Sequence, residues 1–265
     1  EHIRTDTGRT LELNATSTAV EKGVSVERAI ELACKSTMNL GTEIVDLSKL
    51  HGRTLAESLN SKVDDPRFDN SAMDGWAVRS SDFLNEITVL KIVGTSKAGG
   101  EQPPEIRTGQ ACQIMTGAPM PTGADAIVVV ENSQVKGDKV TLIGPANKNY
   151  IRKKSENLLR GEETLSAGTR MSAASISLTA TMGFAEVKVV KKPKIAIIST
   201  GDELKSPGTE LLPGEIYESN SYGITVLIEK MGGLAIRFEP VTDSIESLRE
   251  ALTAAASECD AILTS

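Results

Sequence analysis

Lys194-Ile195-Ala196-Ile197-Ile198-Ser199-Thr200-Gly201-Asp202-Glu203 decides how the last part of this chain folds. Ile195 to Ser199 reads as a continuous apolar strand, the pattern expected when helices cover both faces of a sheet. Downstream, Ile224, Leu227, Ile228 and Met231 recur at i, i+3, i+4 and i+7, which predicts a helix from Tyr222 to Met231. Asn220 or Ser221 would cap it and Gly232 would stop it. Ala235 to Phe238 reads as a second strand. Asp243-Ser244-Ile245-Glu246 is a capping-box-like start to a helix running to about Ser257. A third strand begins at Asp260 and runs to Thr264. This β-α-β-α-β order implies a right-handed parallel sheet. Upstream, Lys191-Lys192-Pro193 marks a boundary.

Before that boundary the pattern changes. Ser25 to Met38 is predicted as a helix, capped by Ser25, with Val26, Ala29, Ile30 and Ala33 on one face. Ile44, Val45 and Leu47 suggest a short strand, and Leu50 to Leu59 a short helix. Pro66 to Gly75 is rich in turn residues. Strands are expected at Ile87–Val93, Ala111–Met115, Ile127–Asn132 and Lys139–Ile143, with Lys136-Gly137-Asp138 as a hairpin turn between the last two. Strand after strand without a helical period indicates a separate β-rich domain. Ser172 to Met182 reads as a helix ended by Gly183, and Glu186 to Val190 as a strand. Residues 1–24 lack an apolar signal core and are read as a flexible or extended leader.

Composition narrows the function. Hydrophobic residues are 39% and charged residues 25%, as in globular proteins, and the formal charge is −7. That balance argues against nucleic acid or an anionic membrane as the main partner. No apolar run reaches the roughly 18 residues of a membrane span. Three scattered cysteines, Cys34, Cys112 and Cys259, suggest neither a disulfide framework nor a zinc site. A reducing cytoplasm is the expected compartment. With only His2 and His51, a histidine-based metal site or triad is disfavoured.

Several strings carry chemistry-bearing residues. Thr200-Gly201-Asp202-Glu203 follows the first parallel strand, at the end of the sheet where open α/β folds bind ligands. Gly201 would let backbone approach a ligand, and Asp202 and Glu203 offer hard oxygen ligands for Mg²⁺ beside a phosphate. Asp243, after the second strand, lies on the same edge; a plain N-cap is its simpler role. Ser219-Asn220 precedes a helix N-terminus, a ready anion site, or serves capping alone. Asp69 to Trp76 packs small polar residues around a turn. Met115 to Ala126 holds two glycines and two prolines in a rigid loop. Arg152-Lys153-Lys154, followed by Glu156-Asn157, is a basic cluster fit for phosphate or simply a solvated charge run. Each string, taken alone, is equally compatible with a structural turn.

Their order is more specific. Asp69–Val78 (DNSAMDGWAV), Met115–Glu131 (MTGAPMPTGADAIVVVE), Ile151–Asn157 (IRKKSEN), Ser199–Leu204 (STGDEL) and Pro213–Asn220 (PGEIYESN) follow one another along the chain. In this the sequence resembles the molybdenum insertases, or molybdopterin molybdotransferases, from about residue 25 to the end. Relatives include the bacterial enzyme and the C-terminal domain of gephyrin. The resemblance implies a multi-subdomain fold combining α/β and β parts. Residues 25–60 and 147–190 would form an interleaved first subdomain, and 61–146 a β-rich second one. Residues 191–265 would be a molybdopterin-binding subdomain, a parallel βαβαβ unit left incomplete. The rest of that subdomain and a C-terminal β-barrel are expected to follow, so this chain alone is expected to be inactive.

The implied reaction is Mg²⁺-dependent insertion of molybdate into adenylylated molybdopterin, with release of AMP. The family resemblance carries catalytic roles to Asp74, Thr116, Glu203 and Asp243. It carries cofactor binding to Ser71, Gly117, Arg152, Thr200, Gly201, Ser219 and Asn220, and metal binding to Asp202, Glu203 and Asp243. It also implies a homodimer, with Asp74 and Thr116 facing Glu203 and Asp243 across it, and a molybdopterin-adenylating protein as upstream partner. Two departures stand out: Asn157 where many relatives have Asp, and Trp76 in place of Tyr. A scaffold role of the gephyrin type, and a Mg²⁺ and phosphate-binding α/β protein of other chemistry, are the alternative readings.

Overall fold

The computed structural model describes residues 3–4, 10–11, 21–35 and 39–265. Two compact units emerge, Val45–Val187 and Glu1–Ile44 with Lys188–Ser265.

The Val45–Val187 unit is built on a six-stranded sheet. Its order is Ser133–Lys136, Lys139–Ile143, Ile87–Ser96, Gln110–Ile114, Gly75–Val78 and Ala126–Val129. All neighbours are antiparallel except Ile87–Ser96 with Gln110–Ile114, which run parallel. Alternation sends Trp76, Val78, Leu90, Ala111, Val128 and Leu142 into one buried cluster. Ala77, Ile106, Cys112, Ile114 and Ile127 enter a second. Two strands, Gly75–Val78 and Ser133–Lys136, were not foreseen. Gly75 is required where the first enters the sheet, because a Cβ there would lie 2.1 Å from the Val128 carbonyl oxygen. The hairpin turn at Gly137-Asp138 is real, but its incoming strand is Ser133–Lys136 rather than Ile127–Asn132.

The helix expected over Leu50–Leu59 is absent. Gly52 takes φ +71° and donates to Met171 O at 2.8 Å. Leu55 N donates to Thr169 O and Gly168 N returns to Leu55 O, so this stretch pairs extended with residues 168–171. Leu50, Leu55 and Leu59 are buried all the same. The helix Ala173–Thr181 forms as expected, with a capping box between Ser172 and Ser175 and Gly183 at φ +89° beyond its end.

In the other unit, the Lys194–Ile198 strand lies between Leu234–Arg237 and Ala261–Thr264, and both pairings are parallel. Ala196 and Ile198 pack with Ala255 of the helix Ile245–Glu258. The helix Asn220–Met231 buries Ser221 and Ile228, whereas Leu227 and Met231 of the predicted face stay exposed. The first crossover runs from the central strand to one edge of the sheet, and the second runs from that edge past it to the other edge. The topological switch point, where ligands bind in such sheets, lies at the end of the central strand.

The first helix is shorter than expected, Val26–Cys34, with Ser25 accepting from Arg28 N. Residues 36–38, and most of the expected leader, lie outside the described residues. The apolar face read from the sequence is not buried: Val26 is 71% and Ile30 58% exposed. Thr42–Asp46 and Glu186–Val190 form a two-stranded ribbon. Among the described residues, no helix is long and apolar enough to cross a membrane.

Candidate functional site

Five predicted residues come together in the Val45–Val187 unit. The Asn70–Ser71 strand pairs with Ile151–Arg152, placing Ser71 opposite Ile151 and Arg152 opposite Asn70. Ser71 Oγ donates to Met73 O and accepts from Met73 N, a side-chain-closed turn that aims the next residue outward. That residue is Asp74. Its Oδ1 accepts both from Thr116 N, at 2.6 Å, and from Thr116 Oγ1, at 2.8 Å. Among the described residues, no hydrogen bond falls on Oδ2, which leaves it as an outward acceptor. The Thr116 loop is fixed from behind. Gly117, at φ +78°, donates to Ser71 O, Ser71 N donates to Ala118 O, and Met115 N donates to Ser96 O.

The backbone and hydroxyl bonds from Thr116 hold the Asp74 carboxyl below the usual carboxylate range. Asp74 is thus a fixed anion at neutral pH. A general base working near neutrality needs a higher pKa, so the geometry suits an orienting or charge-stabilising role.

Within the basic cluster, Lys153 pairs with Asp69 at 2.8 Å and Lys154 with Asp64 at 3.1 Å. Arg152 is exposed, makes no ion pair among the described residues, and lies on the strand paired with that of Ser71. Asn157 Nδ2 donates to Asp65 Oδ2 at 2.9 Å.

The second group sits at the switch point of the parallel sheet. Thr200 N donates to Ser265 O and Gly201 N to Val241 O, so the first strand's end is clasped by both neighbours. A Cβ at Gly201 would come within 2.7 Å of Glu203 Oε2, so the space is filled by this chain's own carboxylate. Asp202 Oδ1 accepts from Asp243 N at 3.2 Å, which sets Asp202 and Asp243 side by side. Asp243 is not the helix cap; Ser244 is, accepting from Ser247 N at 3.0 Å. A cavity of about 170 Å³ opens here, lined by Thr200, Thr242, Asp243, Ser244, Ile245 and Leu248. Among the described residues, no three His, Cys, Asp or Glu side chains are gathered as a ready metal cage.

Ser219 and Asn220 do not cap their helix with side chains, and its N-terminus is not vacant for an anion. Ser219 is the cap residue without a side-chain bond, and both residues are exposed. The position is held by Glu218, only 4% exposed. Its carboxylate accepts from Ser221 N at 2.7 Å, from Ser221 Oγ and from Ser199 Oγ at 3.1 Å. Burial opposes its charge, but the Ser221 and Ser199 donors outweigh burial and lower its pKa. The signal for Glu218 was an acid directly before a helix start, where the dipole favours a negative charge.

The MoeA N-terminal region (domain I and II) matches residues 24–183, and a probable molybdopterin binding domain matches residues 196–265. The molybdopterin molybdenumtransferase of Nostoc is 37% identical over 229 residues, covering 84% of this chain and 52% of its own length. That of Haemophilus influenzae is 35% identical over 226 residues, covering 84% and 56%. The chain therefore spans about half the length of the curated relatives it matches. Two crystal structures of a molybdopterin biosynthesis MoeA protein from Pyrococcus horikoshii superpose with TM-scores of 0.80 and 0.78 at 33% identity. They cover 91% and 84% of this chain and 63% and 61% of their own. With the MoeA N-terminal region matching more than half of its residues, and the same fold at a third identity, this chain belongs to the MoeA family.

Proposed function

We propose that this protein is a molybdopterin molybdotransferase, inserting molybdate into adenylylated molybdopterin with Mg²⁺-dependent release of AMP. The observation that carries the reading is the Asp74–Thr116 clamp, two predicted site residues brought to 2.6 and 2.8 Å on a loop braced from three sides. Relatives named molybdopterin molybdenumtransferase support the same substrate class.

The donor set suits the metal. Mg²⁺ is usually held by one or two carboxylates, with substrate phosphates and water completing the shell. Asp202 and Asp243 are neighbouring exposed carboxylates of that kind, and these two would hold it, with Glu203 one residue on in the same turn. The chemistry it supplies is charge neutralisation and polarisation of the phosphoanhydride. Arg152 offers a fork for an anionic group. Asp74, ionised and anchored through Oδ1, orients a donor on the substrate through Oδ2. Thr116 keeps that carboxylate in place. The working form is a homodimer in the cytoplasm, receiving substrate from a molybdopterin-adenylating protein.

The test is AMP release by the protein at its full natural length, mixed with adenylylated molybdopterin, molybdate and Mg²⁺. Molybdate-dependent AMP release supports the reading, and its absence overturns it.

A further inference from the structure

The six-stranded sheet has an outer face that its own fold does not explain. Cross-strand register puts Lys136 opposite Lys139 and Lys139 opposite Lys91. Directly opposed residues share a face, so the three ammonium groups form a row. Two residues along lies the row Gln134, Thr141 and Val89, and two further the pair Ile143 and Ile87. Ile87 is 61%, Val89 57% and Ile143 45% exposed, while Leu90, Val140 and Leu142 on the opposite face are buried. One end of the face is cationic and the other apolar. The apolar end continues into a cleft of about 680 Å³ lined by Phe83, Leu84, Ile143 and Pro145 among others. Leu84 is 87% exposed.

Like charges directly opposite one another destabilise a sheet. Lysines on an edge strand guard against edge-to-edge pairing, which accounts for Lys136. Lys139 and Lys91 lie on the second and third strands, where that reason fails. None of the three makes an ion pair among the described residues, although acids outnumber bases in the chain, 36 to 29. The nearest acid in sequence, Asp138 of the turn, accepts from Ile92 N through its carbonyl, and among the described residues its carboxylate makes no ion pair with these lysines.

We propose that this face docks an extended acidic segment of a partner protein, apolar side chains at one end and carboxylates at the other. The charge pattern selects the occupant. From Ile87 to Lys91 is four residues, about 13 Å along a strand. An extended segment presents every second side chain to one face, so two apolar residues followed by acids in alternation match the rows. Three lysines beside an apolar stripe are too few for nucleic acid, which needs a basic surface tracking many phosphates.

The probe is a labelled synthetic peptide in which serine alternates with two leucines and then two glutamates, titrated against the chain as it stands. Saturable binding that weakens with added salt is expected. The double reversal K91E/K139E should lower affinity about tenfold through loss of two exposed charge pairs. Leu84→Ser should also weaken binding, with circular dichroism melts confirming that both variants fold. Absence of binding, or binding unchanged by K91E/K139E, would overturn the proposal. So would lysine-dependent binding to vesicles of anionic lipid without binding to the peptide.

Discussion

Asp74 shows how much of the site rests on single residues. Its two bonds from Thr116 need only an acceptor at Oδ1, whereas the proposed chemistry needs the charge. Asp74→Asn keeps the acceptor and removes the charge. We expect AMP release by the full-length protein to fall about 10²-fold, the scale of losing one electrostatic stabiliser, with little change in melting temperature. Activity near wild type would show that the charge is not used. Asn157 invites the opposite experiment. Its amide donates to Asp65, and Asn157→Asp replaces that donor with a second carboxylate. The melting temperature should drop in low salt and recover partly with Mg²⁺, because a divalent ion can bridge the pair; equal melts with and without Mg²⁺ would refute this. Asp125 bears on acid stability. Burial opposes its charge, but Lys148 and the Ser80 N–H and hydroxyl bring its pKa down to about 2. A folded pKa below the unfolded one stabilises above the ordinary carboxylate range and is lost as pH falls toward 2. The side chain is 48% exposed, so screening keeps this below about 1 kcal/mol. Asp125→Asn should be less stable than wild type by that amount at neutral pH and match it in strong acid, as read by urea titration.

At the scale of elements, the helix Asn220–Met231 depends on a residue outside it. Glu218 → Ala leaves Ser199, Ser221 and a helix N–H without their acceptor in a buried place, which costs about 2–3 kcal/mol; Glu218→Gln keeps an acceptor and costs about 1 kcal/mol. Because the folded pKa of Glu218 is depressed, its charge contributes fully at neutral pH and is lost as pH falls through that pKa. The wild-type advantage over Glu218→Gln in urea denaturation should therefore shrink in acid. This cap was hidden in the sequence because Ser219 and Asn220, the usual capping types, stand nearer the helix. Other elements were plain for identifiable reasons. Ile195–Ser199 announced a strand covered on both faces, and the Lys194–Ile198 strand is central in its sheet. Ser172 and Gly183 bracketed their helix correctly. Gly75–Val78 was missed because all four residues are buried, leaving no alternation to read. Ser133–Lys136 is a polar edge strand that only its partner defines. Asp74 and Thr116 were legible as motif residues, but 42 positions separate them, and only the register of the intervening strands brings them together.

At the scale of the molecule, the helix Val26–Cys34 poses the sharpest question. Its period is amphipathic, yet none of its residues is buried. Val26 and Ile30 expose 71% and 58% of their surface, and Val24 and Ile44 expose 40% and 65%. The polar side is well organised. Arg28 bridges Glu21 at 2.6 Å and Glu31 at 2.8 Å, and Lys35 reaches Glu31 at 2.8 Å. A helix of nine residues is too short to be stable in water on side-chain pairs alone; what makes such a helix persist is burial of its apolar face. In the proposed homodimer, a second copy covering the face would supply that burial. Ile30→Glu places a charge in the centre of the stripe and leaves the ion pairs intact. The full-length variant should sediment as a monomer at concentrations where wild type is dimeric, and the helical signal of this segment should weaken with it. If Ile30→Glu remains dimeric, this face is not part of the dimer contact and another surface must join the two copies.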